Sequence, residues 1–146
     1  MICPIFLDTN IAIYASGRPH IYKSPCAQVL NLVAERPTSF FTDAEVFQEL
    51  LHRYLSLQIW PQGKEVFQRF GRLMQDRVES IIHGDLEQAA LLADTFQGVS
   101  ARDLLHRAVM ARLGSGRIVS ADRDFGRFPE VERLDPLEID LWRTSI

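Results

Sequence analysis

The chain has 146 residues, of which 47% are hydrophobic and 24% are charged, an ordinary composition for one soluble domain with its own core. Sixteen basic and nineteen acidic residues give a net charge of −3, which argues against a protein that holds nucleic acid by bulk positive charge. No run approaches the ~20 apolar residues of a membrane span. An acid follows early, at Asp8, so we expect neither a membrane anchor nor a signal peptide, and we expect a cytoplasmic protein.

The chain alternates short apolar runs with helical apolar stripes, and no repeat, low-complexity tract or linker interrupts it. The run at 2–7 stops at Asp8, which is typical of a buried strand followed by a helix cap. A second short strand, at 39–42, leads directly into a helical stripe from Val46 to Leu55. In order, the first half predicts a strand at 2–7, a helix at 21–35, a strand at 39–42, a helix at 43–55, a helix at about 63–76 and a strand at 78–82.

The second half continues this alternation. It predicts helices at 85–97 and 101–113, a strand at 117–120 and a short fifth strand at 131–134. Strands that alternate with helices indicate an α/β fold in which helices cover both faces of a mostly parallel sheet. We therefore predict a three-layer α/β/α architecture with about five strands, forming a single domain over residues 1–146.

Acids from four separate segments are predicted to lie at the carboxyl edge of this sheet. Asp8 directly follows the first strand, and Asp122 follows the fourth with one residue between. Helices that link parallel strands return to the same edge with their first turns, which places Asp103 there. The first two turns of the helix after the second strand carry Glu45 and Glu49.

Carboxylates brought this close repel one another and raise one another's pKa values unless a cation lies between them. Mg²⁺ and Mn²⁺, which prefer oxygen ligands, are the natural occupants of such a site. The two cysteines have no CxxC spacing and the four histidines form no HxH or HExxH pair, so no zinc site built on histidine is predicted. The acids favour phosphodiester hydrolysis, in which one ion, or two about 3.5–4 Å apart, activates water and stabilises the leaving oxygen.

Four acidic residues also have a purely structural interpretation, which the sequence leaves open. Asp8 can cap the helix that follows it. Ser100 can cap the helix predicted at 101–113, with Asp103 at its third position, as in a capping box. Asp122 and Asp124 can be ordinary turn residues, although their loop is dense in acids beside a buried strand.

The choice between the two glutamates also rests on capping. Thr42 and Glu45 have the spacing of a capping box, in which Thr42 is the cap and the glutamate reaches back to it. We therefore assign Glu45 mainly to that structural role. Glu49, one turn further along, becomes the better candidate for a metal ligand.

Four segments, DTN after the first strand, ELLHRY after the second, SARDLLHRAVMARLG and IVSADRDF, together resemble a PIN-domain ribonuclease. Within that family they most resemble the VapC-type toxins of prokaryotic toxin–antitoxin pairs. The resemblance implies a PIN-like fold with a five-stranded parallel sheet flanked by helices. It also implies an endonuclease that depends on Mg²⁺ or Mn²⁺ and acts on single-stranded RNA.

The resemblance assigns roles position by position. It implies that the catalytic and metal-binding residues are Asp8, Glu49, Asp103 and Asp122, with Asp124 as a further metal ligand. The polar neighbours of these ligands are Asn10, Ser120 and Glu45. The arginines that flank the acids, and that either hold RNA phosphates or lie on solvated faces, are Arg102, Arg107 and Arg123.

Two kinds of protein partner are implied by the same resemblance. We expect a homodimer, and a small antitoxin whose C-terminal segment lies across the acidic edge. Contiguous apolar surface often marks an interface. The residues that offer such a surface, or that form core under a loop, are Leu55, Leu57, Ile59 and Trp60.

Two other functions compete with this hypothesis. A receiver-type phospho-acceptor domain is also α/β, but it needs an aspartate after its third strand and a lysine after its fifth. Only Asp85 approaches the first requirement, and no lysine follows Lys64. The second alternative is a PIN-like module that has lost its chemistry and only binds a partner.

Overall fold

The structure is a computed structural model that describes residues 3–146, so Ile2, the first residue of the predicted 2–7 strand, lies outside the described residues. Five parallel strands form one sheet in the spatial order β3-β2-β1-β4-β5. The strands are β1 (Ile5–Leu7), β2 (Phe40–Asp43), β3 (Val78–Glu79), β4 (Arg117–Val119) and β5 (Glu132–Leu134).

Seven α-helices connect and follow these strands. They are α1 (Thr9–Ser16), α2 (Lys23–Glu35), α3 (Ala44–Ser56), α4 (Trp60–Leu73), α5 (His83–Thr95), α6 (Ala101–Arg112) and α7 (Ile139–Trp142). Crossovers between parallel strands are right-handed, so α1–α4 cover one face while α5 and α6, which return the chain past β1 to β4, cover the other. Accordingly α1 contacts α2, α3 and α4, and α5 contacts α6. The predicted α/β class is confirmed. Within residues 3–146, no helix combines the length and apolarity needed to cross a bilayer.

The central strand β1 ends at the edge of the sheet where the predicted acidic residues lie. Its three side chains are fully buried because strands flank it on both sides and helices cover both faces. In the ladder Phe6 lies opposite Phe41 of β2 and Ile118 of β4. Strands β1 and β4 end one residue further on, at Leu7 and Val119, and β2 ends two residues further on, at Asp43. Polar side chains lie at or just beyond these strand ends.

The structure differs from the predicted boundaries at several elements. The third strand has two residues rather than five, because the Ile82 amide donates to Asp85 Oδ2 at 3.0 Å and begins α5 instead. The Arg112 guanidinium holds that same aspartate at 2.9 and 3.1 Å. Helix α4 begins at Trp60 rather than near residue 63, since Pro61 suits the first turn of a helix. The short helix α7 was not predicted.

Candidate metal centre

Asp8 lies at the start of α1, where β1 ends, and it is almost completely buried. Its Oδ1 accepts a hydrogen bond from the Thr9 amide at 2.7 Å, and its Oδ2 accepts one from Ser120 Oγ at 2.6 Å. Burial raises the pKa of Asp8, and these donors and the nearby His106 only partly oppose that effect. Asp8 is thus both the cap of α1 and a residue of the acidic edge.

Asn10 joins the loop after β1 to the loop after β4. Its Nδ2 donates to Asp8 Oδ2 and to Ser120 Oγ, both at 3.1 Å, and its Oδ1 accepts from the Ala121 amide at 3.1 Å. Ser120 Oγ also accepts from the Asp122 amide at 2.9 Å. These bonds fix the position of Asp8 relative to the loop that carries Asp122.

The predicted capping box of Thr42 and Glu45 is wrong. Strand β2 extends one residue further than expected, so Asp43 becomes the cap of α3, and its Oδ1 accepts from the Val46 amide at 3.1 Å. Thr42 belongs to the strand, and its Oγ1 donates to the Leu7 carbonyl at 2.9 Å. The Glu45 carboxylate instead lies 3.9 Å from Arg102 Nε.

Glu49, rather than Glu45, lies beside Asp8. Its Oε1 accepts from Thr9 Oγ1 at 3.0 Å. Burial disfavours the charged carboxylate, but the nearby His106 and the Thr9 hydroxyl outweigh that cost, so the pKa of Glu49 is lowered. Glu49 therefore stays ionised at neutral pH.

His106 lies at the base of this site with no solvent exposure. Its Nδ1 is 2.8 Å from Asp43 Oδ2, while its Nε2 is 4.0 Å from Asp8 Oδ1 and 3.8 Å from Glu49 Oε1. Burial disfavours the imidazolium, but Asp43, Glu49 and Asp8 outweigh it and raise the pKa of His106 well above its ordinary value. Nε2 has no hydrogen-bond partner among the described residues.

A second group of acids consists of Asp103, Asp122 and Asp124, whose oxygens lie within 4.8 Å of one another. Ser100 Oγ accepts from the Asp103 amide at 3.2 Å, so Ser100 caps α6 as expected. Burial, the Asp8 charge and the neighbouring Asp122 raise the pKa of Asp103 to about 8. The only hydrogen bond that Asp122 accepts within this group comes from the Asp124 amide, at 2.9 Å.

The three arginines do not share one environment. Arg102 faces Glu45, and Arg123 begins the 3₁₀ helix Arg123–Arg127 with its side chain exposed. Arg107 donates to Glu130 Oε2 at 3.1 Å. Arg107 is thus engaged by an acid outside the two candidate metal-binding groups.

Leu57 and Ile59, which lie between α3 and α4, line a groove beside α1, and Leu55 and Trp60 lie near them in the chain. Leu55 and Leu57 are each 54% exposed, whereas Trp60 is half-buried against Phe67. The groove has a volume of about 620 Å³. Its lining includes Tyr14, His20, Arg53, Leu57 and Ile59.

The residues at this edge fit a divalent cation. One group offers oxygen atoms from Asp8 and Glu49 with the unpartnered His106 Nε2, and the other offers three carboxylates. Burial, together with the nearby charges of Asp8 and Asp122, raises the pKa of Asp103, so the charged form of this carboxyl is unfavourable without a cation beside it. A bound ion would remove that cost and give Nε2 a partner.

Sequence reasoning missed Asp43 and His106. One signal was available, because Asp43 follows the strand predicted at 39–42 as Asp8 follows the first strand, and residues that follow neighbouring parallel strands meet at one edge. No comparable signal marked His106, which lies three residues after Asp103 but 63 residues from its partner Asp43. A search for paired histidines cannot detect a single histidine joined to acids.

A parallel five-stranded sheet with acids at its carboxyl edge is the arrangement of a PIN domain. The PIN-domain family model matches residues 5–131 of this chain. The chain belongs to the PIN-domain family. It is 35% identical over 130 residues to VapC ribonuclease Mb1869c of Mycobacterium bovis and to Ribonuclease VapC13 of Mycobacterium tuberculosis, which covers 89% of this chain and 98% of each relative. The predicted resemblance to VapC-type PIN ribonucleases is therefore confirmed, and its relatives are named ribonucleases.

Two solved structures share the fold. VapBC2 from Rickettsia felis, bound to a DNA fragment from its promoter, has a TM-score of 0.69 at 16% identity and covers 90% of this chain and 97% of its own. FitAB bound to a DNA fragment has a TM-score of 0.65 at 18% identity and covers 91% and 95%. At these identities the likeness establishes the fold alone.

Proposed function

We propose that this protein is a divalent-metal-dependent endoribonuclease that hydrolyses single-stranded RNA, and that it is the toxin of a toxin–antitoxin pair. The observation that carries the proposal is the convergence of Asp8, Glu49, Asp103 and Asp122 on one sheet edge of a PIN domain. The ribonuclease names of relatives that align along nearly their whole length support the reaction class.

The residues that would hold Mg²⁺ or Mn²⁺ are Asp8, Glu49, Asp103 and Asp122, with Asp124 beside them. A divalent ion bound there supplies activation of water and stabilises the charge of the leaving oxygen. Ser120 and Asn10 orient Asp8, and the Thr9 hydroxyl orients Glu49. Because these donors are already in place, the carboxylates need little rearrangement to receive a ligand.

Few basic side chains would be available to bind the substrate at this edge. We expect Arg102 and Arg123 to contact RNA phosphates, whereas Arg107 already donates to Glu130. With a net charge of −3, the protein has no excess positive charge for binding long nucleic acid. Binding should therefore depend on the bound metal and on these two arginines.

The proposed protein partners are a small antitoxin and a second copy of the chain, in the cytoplasm. Both structural neighbours were solved as VapBC and FitAB complexes. The groove beside α1, bordered by Leu57 and Ile59, is our candidate surface for the antitoxin. Co-expression with the neighbouring gene should yield a two-protein complex, and a lone monomer would contradict this part of the proposal.

The alternatives are less well supported. A receiver domain has the strand order 2-1-3-4-5, which differs from the order observed here. A PIN module without activity would not need to retain the acids, yet all of the predicted ones lie at or beside the edge.

RNA cleavage by purified protein tests the proposal directly. The wild type should cleave single-stranded RNA with Mn²⁺ or Mg²⁺ and stop with EDTA, while a variant with Asp8, Asp103 and Asp122 all replaced by Asn should be inactive. The matched control is Asp94→Asn, which changes an exposed acid on α5. Equal cleavage by the triple variant and the control would refute the proposed reaction.

A further inference from the structure

His106 differs from the other three histidines in its surroundings. His20, His52 and His83 are exposed, whereas His106 is completely buried on α6. One ring nitrogen, Nδ1, is bonded to Asp43, and the other, Nε2, is buried without a hydrogen-bond partner among residues 3–146. A buried polar atom left unpartnered is costly, so its orientation calls for a physical explanation.

Asp43 determines which nitrogen of the ring is free. Its Oδ1 is engaged by the Val46 amide, and its Oδ2 lies 2.8 Å from His106 Nδ1, so this nitrogen must be the donor. In the neutral ring, Nε2 then presents its lone pair toward Asp8 and Glu49. Histidines that bind metals in proteins almost always donate their other N–H to a carboxylate or carbonyl in this way.

The distances around Nε2 suit an ion better than a direct contact. Nε2 is 3.8 Å from Glu49 Oε1 and 4.0 Å from Asp8 Oδ1, both too long for hydrogen bonds. Two ligands at about 2.0–2.2 Å from one ion can be separated by such a distance when the angle between them is wide. These three atoms belong to one group whose members lie within 4.8 Å of one another.

We propose that His106 Nε2 is a nitrogen ligand of a divalent transition-metal ion held with Asp8 and Glu49, so that this site binds Mn²⁺ in preference to Mg²⁺. The inference rests on the proposed metal-dependent function and goes beyond the carboxylate ligands. Imidazole suits transition metals, whereas Mg²⁺ is held mainly by oxygen. A proton on Nε2 is released to solvent when the ion binds.

The first experiment detects the bond without changing His106. An untagged protein carrying His20→Gln, His52→Gln and His83→Gln retains His106 as its single histidine. With Mn²⁺ bound, pulsed electron paramagnetic resonance should show a nitrogen coupling that changes when the histidine is labelled with ¹⁵N. A Mn²⁺ signal without histidine coupling would overturn the proposal and leave His106 as a counter-ion for Asp8 and Glu49.

The second experiment measures selectivity by calorimetry of Mn²⁺ and Mg²⁺ binding. His106→Gln and Asp43→Asn should each weaken Mn²⁺ binding by roughly 10–100-fold, as loss of a ligand or of its partner does, and should change Mg²⁺ binding much less. The matched control, His52→Gln on α3, should behave as wild type. An unchanged Mn²⁺/Mg²⁺ ratio in folded His106→Gln would also contradict the inference.

Failure of this inference can be distinguished from failure of the proposed function. RNA cleavage that requires metal, together with Mn²⁺ bound without nitrogen coupling, overturns only the role of His106. Nitrogen coupling without any RNA cleavage supports the ligand and removes the ribonuclease proposal. No binding of either ion overturns both.

Discussion

The two acidic groups at the sheet edge are built differently, although they are neighbours. In the first, Asp8 and Glu49 accept hydrogen bonds from Thr9 and lie beside His106. In the second, Asp103, Asp122 and Asp124 face one another with few donors between them. The carboxylates of the first group are therefore held in position before any ligand binds. The carboxylates of the second group repel one another, and a bound cation would offset that repulsion.

The largest expected difference between the groups is in catalysis. Asp8→Asn should lower the rate of RNA cleavage by about a hundredfold or more, since it alters a carboxylate whose position three donors fix. Asp124→Asn should cost about tenfold or less, because Asp122 and Asp103 remain. Cleavage rates at saturating Mn²⁺ check this, and equal losses would mean that the two groups do not differ in function.

Metal binding should stabilise the protein mainly by offsetting the repulsion among the carboxylates of the second group. An ion that binds only the folded state at a hundred times its dissociation constant stabilises it by about 2.7 kcal/mol. Asp103→Asn should lose most of that gain. Thermal melts with EDTA and with Mn²⁺ measure it, and an equal shift for both proteins would exclude Asp103 as a ligand.

The two glutamates of α3 test the first group. Glu49→Gln should lower activity about tenfold or more, because it lies beside Asp8 and accepts from Thr9. Glu45→Gln should have a smaller effect, since this side chain faces Arg102. Steady-state cleavage assays of both variants decide, and the reverse order would assign the ligand to the first turn of α3.

Asp103 should also make the stability of the metal-free protein depend on pH. The pKa of Asp103 is about 8 in the folded state and near 3.8 in the unfolded chain, so between these values the folded state binds the extra proton. Its contribution to stability is therefore present at low pH and is lost as the pH rises toward about 8. Urea unfolding with EDTA should show a steeper fall from pH 5 to pH 8 for wild type than for Asp103→Asn.

The matched control for this prediction is Ser100→Ala, which removes the cap of α6 but keeps the Asp103 carboxyl. It should cost about 1 kcal/mol at both pH values, because a hydroxyl cap does not titrate. If Asp103→Asn behaved in the same way, Asp103 would be a capping residue rather than a member of a strained acidic group.

Local sequence rules located the edge but not its internal contacts. Asp8 and Asp122 could be placed because residues that follow parallel strands meet at one side of a sheet. The cap of α3 was misplaced by one residue, from Asp43 to Thr42, since strand ends are poorly marked by an apolar run. The contacts of Asp43 with His106 and of Arg107 with Glu130 depend on tertiary packing across 63 and 23 residues, which no local pattern encodes.

The bond between Ser120 and Asp8 joins residues 112 positions apart in the chain. Contacts of such long sequence separation close late, because the intervening chain must first be synthesised and ordered. On a ribosome that adds about 5–20 residues per second, Asp8 emerges several seconds before Ser120, Asp122 and the strand that carries them to its side. A growing chain thus carries Asp8 without the rest of the acidic edge. A site assembled from both ends of the chain can therefore form only when translation is nearly complete.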